Sequence, residues 1–393
     1  MIASRGCAGH SPFREAPVDR AELLQGVRKL VVKIGTAALS SPDGGLDEAK
    51  VARLAEQIHL LRRRGLLVAV VSSGAIGAGM NALGIRRRPA HLPELQACAA
   101  VGQGRLTAVY DQCFRRHGYH AAQILLTRDD FNDRSRYLNA SNTIHAILDY
   151  GAVPIVNEND TISVEEIGFG ENDGLAALVA NLVSADMLIL LTVVDGLYEN
   201  PDAPAEARRA IRLVPKVTDE IRGLADGSSS RGGRGGMASK IEAARVATDA
   251  GALALIANAL QPRVLERIFD GEELGTLFLP AKGRRLTRRK SWIRFGSRPK
   301  GTLVVDPGAR GALVQAGKSL LPSGIVRVEG EFDAGGLVAV CDENGAEFAR
   351  GLANYGAEDM RKIIGLKTAA IRALFGDHAY DEAIHRDHLV LSE

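Results

Sequence analysis

Four short segments concentrate residue types that bind anions and amino acids, and each lies where an apolar run gives way to small residues. In the first, Val31-Val32-Lys33-Ile34-Gly35-Thr36, a strand delivers a lysine and then a glycine at its carboxyl end, where ligands of open α/β sheets sit. An ammonium there can hold a polyphosphate, and Gly35 lets backbone N–H groups come close to phosphate oxygens. In the second, Ser72-Ser73-Gly74-Ala75-Ile76-Gly77-Ala78-Gly79, small side chains expose the N–H groups of a helix start to an anion. In the third, Asn157-Glu158-Asn159-Asp160 ends an apolar strand and is followed by Gly170-Glu171-Asn172-Asp173-Gly174 at a helix start. Amides and carboxylates clustered in this way can grip the ammonium and carboxylate of an amino acid. The fourth, Arg231-Gly232-Gly233-Arg234-Gly235-Gly236-Met237-Ala238-Ser239-Lys240, is a Gly-rich loop entering a helix with a lysine in its first turn, a form suited to cradling phosphates.

Taken singly, each segment has a plainer explanation: a lysine at a strand end, Asx turns with an N-cap, a flexible surface loop. Two motif likenesses fail outright. Gly77, Gly79 and Ala82 match a GxGxxA dinucleotide fingerprint, but they lie inside the expected helix instead of at the strand-to-helix turn. Gly317-Lys318-Ser319 resembles the end of a P-loop, but Ala312 occupies the required upstream glycine position.

The elements that must position these residues are legible as an alternation. Apolar, β-branched runs predict strands at Leu30 to Ile34, Leu66 to Ser72, Ala122 to Leu126, Val153 to Asn157, Met187 to Thr192 and Ala252 to Ile256. Between them, helices are expected at about Asp47 to Arg64, Leu92 to Arg116, Ser135 to Tyr150, Asn172 to Ser184 and Met237 to Ala250. This is the pattern of a parallel α/β sheet, and strands apolar along their whole length require helices on both faces. From Leu274 to Val305 the chain has no acidic residue but carries Lys282, Arg284, Arg285, Arg288, Arg289, Lys290, Arg294, Arg298 and Lys300, which reads as a basic linker. Gly- and Val-rich segments beyond it, Gly301 to Val305, Ile325 to Val328 and Leu337 to Cys341, predict a small β-rich domain.

A length of 393 residues calls for one large domain and at least one smaller one. A net charge of +2 names no partner, and no apolar run approaches the ~20 residues of a membrane helix. Cys7, Cys98, Cys113 and Cys341 are scattered without a CxxC pair or a nearby His cluster, which suggests neither a zinc site nor a disulfide framework and fits a reducing, cytoplasmic compartment. Residues 1–27 lack a secretory signal's apolar core and read as a loose extension.

In order, the segments VVKIGT, VSSGAI, LLTRDDF, RYLNA, PIVNEND, GFGEND, VDGLY and GGMASK resemble the amino acid kinase family over nearly all of residues 30–391, and within it the members that act on glutamate. The resemblance implies a three-layer α/β/α sandwich, with glutamate near the strand ends on one side and ATP on the other. It implies phosphorylation of the L-glutamate side-chain carboxylate to L-glutamyl 5-phosphate, the first step of proline biosynthesis. It places Lys33 and Lys240 on the phosphates with Asp173 between them as organiser, and Ser73, Gly74, Ala75, Asn157, Asp160 and Asn172 on glutamate. The nucleotide positions are Lys33, Gly35, Thr192, Val193, Arg234, Gly235, Gly236, Met237, Ala238, Ser239 and Lys240. Mg²⁺ is implied with ATP, and the sequence identifies no protein ligand for it. Residues from about Pro299 to Leu374 resemble a PUA domain, a small β-barrel type.

The implied organisation is an extension at 1–27, a kinase domain at 28–280, a basic linker at 281–298, a PUA-like domain at 299–375 and a tail at 376–393. Proline inhibition and homo-oligomers are further implications of the resemblance. The chain departs from the family pattern in having Val193 where an Asp usually follows the Thr, Gly168 for a basic residue, Glu171 for Asp, and Ala37 for Ser. Alternative readings are a kinase acting on acetylglutamate, aspartate or a nucleoside monophosphate, and an RNA-binding protein using the basic stretch and the PUA-like domain. The paired NEND and GEND segments with the PUA-like tail favour glutamate.

Overall fold

The computed structural model describes residues 19–163, 172–225, 236–281, 286–296, 298–376 and 380–392. They belong to two compact units, one drawn from Met1–Thr127 and Asn139–Arg284, the other from Arg128–Leu138 and Arg285–Glu393. Among the described residues, no helix is long and apolar enough to cross a membrane.

The larger unit is built on eight strands: β1 (Lys29–Ile34), β2 (Leu67–Ser72), β3 (Ala121–Leu126), β4 (Val153–Glu158), β5 (Met187–Thr192), β6 (Leu213–Val214), β7 (Leu253–Asn258) and β8 (Thr276–Phe278). Their order is β3-β4-β2-β1-β5-β7-β8-β6. The first six in that order run parallel, and β8 pairs antiparallel with β7. The expected strands all form, each within two residues of its predicted bounds; β6 and β8 are additions, too short to show a periodicity. The five expected helices form as well, at Glu48–Arg63, Leu92–Arg115, Arg134–Asp149, Asp173–Val183 and Met237–Asp249.

Alternation along β1 decides which side chains face which layer. Leu30, Val32 and Ile34 join the core that includes Leu54, Ile58, Leu106 and Tyr110 of the helices Glu48–Arg63 and Leu92–Arg115. Val31 and Lys33 therefore point to the opposite face, where the helices Asp173–Val183 and Met237–Asp249 pack side by side. The central strand thus carries a lysine on a fully buried face, a placement that demands a partner.

The helices Ala75–Leu83 and Leu92–Arg115 approach each other so closely that glycine is obligatory at their contact. A Cβ on Gly79 would stand 1.8 Å from the Cys98 carbonyl oxygen, and one on Gly102 would stand 1.8 Å from that of Ala75. Gly74, the N-cap of the shorter helix, has φ of +107°, a conformation that glycine adopts without the Cβ penalty.

Residues 19–27, expected to be loose, are not. Asp19 caps the short helix Arg20–Gln25, Leu24 and Val27 enter the core, and the Arg20 guanidinium donates to the carbonyls of Leu274, at 2.8 Å, and Arg212. The reason is that Arg20 is buried with its donors matched to carbonyls, while Leu24 and Val27 share one apolar face.

The smaller unit has its own core and a five-stranded sheet of β9 (Gly301–Val305), β10 (Ile325–Gly330), β11 (Leu337–Cys341), β12 (Glu347–Leu352) and β13 (Leu389–Leu391), ordered β10-β9-β11-β12-β13. β13 lies in the stretch read as a C-terminal tail and pairs antiparallel with β12. Trp292, in the basic stretch, is buried and donates its indole N–H to the Phe131 carbonyl at 2.9 Å, so its ring is packing and not an exposed stacking platform.

The glycine contact yields a paired test. Gly102→Ala should cost about 1–3 kcal/mol in urea unfolding through overpacking against backbone. Gly104→Ala, on the same helix with nothing within 4 Å of its added methyl, should stabilise by about 0.5–1 kcal/mol. Equal effects would refute the close contact.

Candidate active site

The buried lysine of β1 finds its partner across the sheet. Lys33 Nζ lies 2.7 Å from Asp173 Oδ1, at the first turn of the helix Asp173–Val183, and Lys240 Nζ lies 3.1 Å from Asp173 Oδ2. The Ser239 hydroxyl donates to the same Oδ2 at 2.7 Å. Both lysines and the aspartate are nearly or wholly inaccessible, at 0%, 4% and 0% exposure for Lys33, Lys240 and Asp173. Two ammonium groups on one carboxylate give the trio one net positive charge, and burial of that charge away from water is favourable only beside an anion or another compensating group.

The elements explain the convergence. β1 is followed directly by Gly35, whose position is flanked by the Lys33 ammonium and the Leu191 carbonyl, each 3.4 Å from where a Cβ would stand. The Gly35 N–H itself donates to Leu191 O at 3.2 Å and so serves the sheet. Gly236 is the N-cap of the 13-residue helix Met237–Asp249, whose first turn carries Met237, Ala238, Ser239 and Lys240. That N-terminus adds the positive end of a helix dipole to the two ammonium groups. Arg234 and Gly235 lie outside the described residues.

Next to Asp173, Asn172 occupies a left-handed conformation with φ of +60°. Its side-chain amide donates to Asn157 Oδ1 at 2.7 Å, and weakly to the Ser72 carbonyl at 3.3 Å and the Ser73 hydroxyl at 3.4 Å. Asn157 in turn donates to Gln103 Oε1 at 2.8 Å. Ser73, Asn157 and Asn172, assigned from sequence to one ligand, are thus brought together by three separate elements, and Gly74 and Ala75 follow Ser73 directly into a helix. Gln103 was not foreseen. Its signal was a lone amide on the buried face of the helix Leu92–Arg115, in line with Leu106 and Tyr110. Tyr110 closes the same edge, its hydroxyl 3.1 Å from Ser72 Oγ, and burial pushes that phenol further up from its ordinary range.

Asp160 lies just past β4. Burial and then the neighbouring Glu158 charge push its carboxyl up to about 7, with Arg88 acting in the opposite direction. A carboxyl so placed ionises more readily when a cation arrives beside it.

On the other side of β1, Thr192 ends β5 and pairs in register with Asn258 of β7. Val193 is exposed and brings no carboxylate. Two residues on, Asp195 Oδ1 accepts from the amides of Asn258 and Gln261, both at 2.9 Å. A fixed carboxylate therefore stands on this rim despite the departure at Val193, a feature the VDGLY segment displayed but that was not assigned.

The amino acid kinase family matches residues 28–258, and the PUA domain matches residues 301–375. A protein named Glutamate 5-kinase from Caldanaerobacter subterraneus subsp. tengcongensis is 47% identical over 365 residues, covering 93% of this chain and 98% of its own. Another of that name from Geobacter metallireducens is 48% identical over 377 residues, covering 95% of this chain and 100% of its own. A family match spanning the site-bearing sheet, with such identity over nearly the full length of both partners, settles the relationship: the chain belongs to the amino acid kinase family, joined to a PUA domain.

Proposed function

We propose that this chain transfers the γ-phosphoryl group of ATP to the side-chain carboxylate of L-glutamate, giving L-glutamyl 5-phosphate and ADP as the first step of proline biosynthesis. The observation that carries the proposal is the buried Lys33–Asp173–Lys240 cluster adjoining the Asn172–Asn157–Gln103 amide chain. One is suited to a polyphosphate and the other to an amino acid, and consecutive residues, Asn172 and Asp173, join them. The Glutamate 5-kinase relatives supply the acceptor.

A side-chain carboxylate is ionised at neutral pH, so it attacks the γ-phosphorus without surrendering a proton. The new bond joins a glutamate carboxylate oxygen to phosphorus as the bond to the β–γ bridging oxygen breaks and ADP departs. No general base is required. The work is to bring two anions together and to hold charge on the transferring group, which Lys33, Lys240 and the helix N-terminus at Gly236 do. Asp173 is a positioning residue: it fixes both ammonium groups at ion-pair distance and touches neither substrate. Because Asp173 already holds two lysines and the Ser239 hydroxyl, it does not fit a Mg²⁺ ion as well. In this reading Mg²⁺ arrives on the nucleotide's phosphates.

Asp160 is assigned to the substrate ammonium, with Ser73, Gly74, Ala75, Asn157 and Asn172 around the rest of glutamate. Thr192, Val193 and residues 234–240 are assigned to the nucleotide. Proline inhibition, homo-oligomers and a cytoplasmic location belong to the same reading and rest on the family resemblance alone.

The deciding experiment measures ADP release from Mg-ATP with glutamate, aspartate or acetylglutamate, with hydroxylamine trapping any acyl phosphate. Glutamate-dependent ADP with matching hydroxamate is expected; turnover with another acceptor and none with glutamate would overturn the reading. Lys33→Ala and Lys240→Ala should each lower kcat by about 10²-fold or more, as for loss of one preorganised donor; near wild-type turnover in either removes its role. The pH dependence has a definite sign. Asp160 must be ionised to pair with the ammonium, so the glutamate KM should rise as pH falls through about 7, approaching tenfold per unit below it. Asp160→Asn should show a higher KM with that dependence gone, and a wild-type KM that stays flat from pH 8 to 6 argues against the contact.

A further inference from the structure

The three amides beside the lysine–aspartate cluster form a chain with one permitted direction. Asn172 Nδ2 faces the Ser72 backbone carbonyl at 3.3 Å as well as Asn157 Oδ1 at 2.7 Å. A carbonyl oxygen has no proton to give, so the amide atom turned toward it has to be the nitrogen. Asn157 must then present its oxygen to Asn172 and its nitrogen to Gln103, whose Oε1 accepts at 2.8 Å. Asn157 and Gln103 are both buried, so without that oxygen an Asn157 N–H would be left unpaired away from water. On its other side Gln103 Nε2 approaches the Thr107 hydroxyl at 3.5 Å, and that hydroxyl lies 3.0 Å from Gln123 Oε1 on β3.

The direction decides what the opposite end of the chain offers. Asn172 is the N-cap of the helix Asp173–Val183, a position where an asparagine oxygen ordinarily accepts from first-turn N–H groups, and its side chain makes no such bond. Its amide nitrogen is turned toward Asn157, Ser72 and Ser73, and its Oδ1 takes no hydrogen bond from the described residues. The chain therefore ends in an oriented acceptor next to Asp173, which calls for a ligand that brings a donor.

We propose that Gln103 is a positioning residue for the phosphoryl acceptor: by taking the Asn157 N–H it holds Asn157 and Asn172 aligned, so that Asn172 Oδ1 receives an N–H of the substrate ammonium. The role rests on glutamate being that acceptor. Both carboxylates of glutamate are without a proton at neutral pH, which leaves the ammonium as its hydrogen-bond donor. Gln103 acts through Asn157. A methionine side chain at position 103 keeps similar volume but gives the Asn157 nitrogen no acceptor, and the amide is then free to turn. A carboxyl group at the same place accepts from Asn157 in either protonation state.

The test is steady-state kinetics on the full chain, with glutamate varied at saturating Mg-ATP and ATP varied at saturating glutamate. Gln103→Met should raise the glutamate KM at least about fivefold, as for one buried N–H left unpaired, and the ATP KM by less than about twofold. A general loosening of the fold would instead raise both constants together. Gln103→Glu, which keeps the acceptor, should hold the glutamate KM within about threefold of wild type. Because Gln103 acts through Asn157, adding Gln103→Met to Asn157→Ala should raise the glutamate KM no further than Asn157→Ala does alone. An unchanged glutamate KM in Gln103→Met, equal rises in the two KM values, no recovery in Gln103→Glu, or additive effects in the double variant would each overturn the role. Absence of glutamate turnover in the wild-type protein overturns glutamate as acceptor and the role with it, whereas wild-type turnover with any of the former results overturns the role of Gln103 alone.

Discussion

An aspartate between two lysines is the constraint to which the rest of the larger unit answers. Removing any one of Lys33, Asp173 or Lys240 from water is costly by itself, and bringing all three within ion-pair reach lowers that cost while leaving one positive charge for an anion or another group to offset. That requirement fixes the face of β1 that carries Lys33, the depth of the helix Asp173–Val183 and the entry of the helix Met237–Asp249. Apolar packing supplies the driving force for the sheet, but this trio selects one arrangement of two helices over it.

The amide chain imposes a complementary constraint at lower charge. Asn172 donates to Asn157, and Asn157 donates to Gln103, so each amide is oriented by the next. The left-handed backbone at Asn172 is tolerated by an asparagine better than by most residues, and it turns the amide and the following carboxylate toward different neighbours. A single turn of backbone thereby separates the amide chain from the lysine–aspartate cluster. The glycine contact between the helices Ala75–Leu83 and Leu92–Arg115 brings the segments that carry Ser73 and Gln103 close together.

Much of this was legible in the sequence, for physical reasons that also explain the gaps. Strands buried on both faces appear as continuous apolar runs, so β1 and β5 were plain, while β6 at two residues and β8 at three are shorter than any period. β12 reads Glu347-Phe348-Ala349-Arg350-Gly351-Leu352, with a charge and a glycine interrupting its alternation. Arg20 looked like an ordinary surface cation because nothing nearby in sequence announces the distant carbonyls that receive it. The order of the motifs pointed to segments that the fold brings together at Lys33, Asp173 and Lys240 and at Asn157 and Asn172. It could not show that Lys33 and Lys240 share one carboxylate, or that Gln103 supports Asn157, because those contacts span the fold.

The strand order carries a consequence for synthesis on the ribosome. β1 is made first yet ends in the middle of the sheet, flanked by β2 and β5. Lys33 emerges 140 residues before Asp173 (173 minus 33) and β5 later still. The nascent chain can pair β1 with β2 early, but the far edge of β1 stays open until its counter-charge has left the tunnel. The lysine remains hydrated through that interval, so the central strand cannot be sealed into an apolar intermediate before the carboxylate that neutralises it exists.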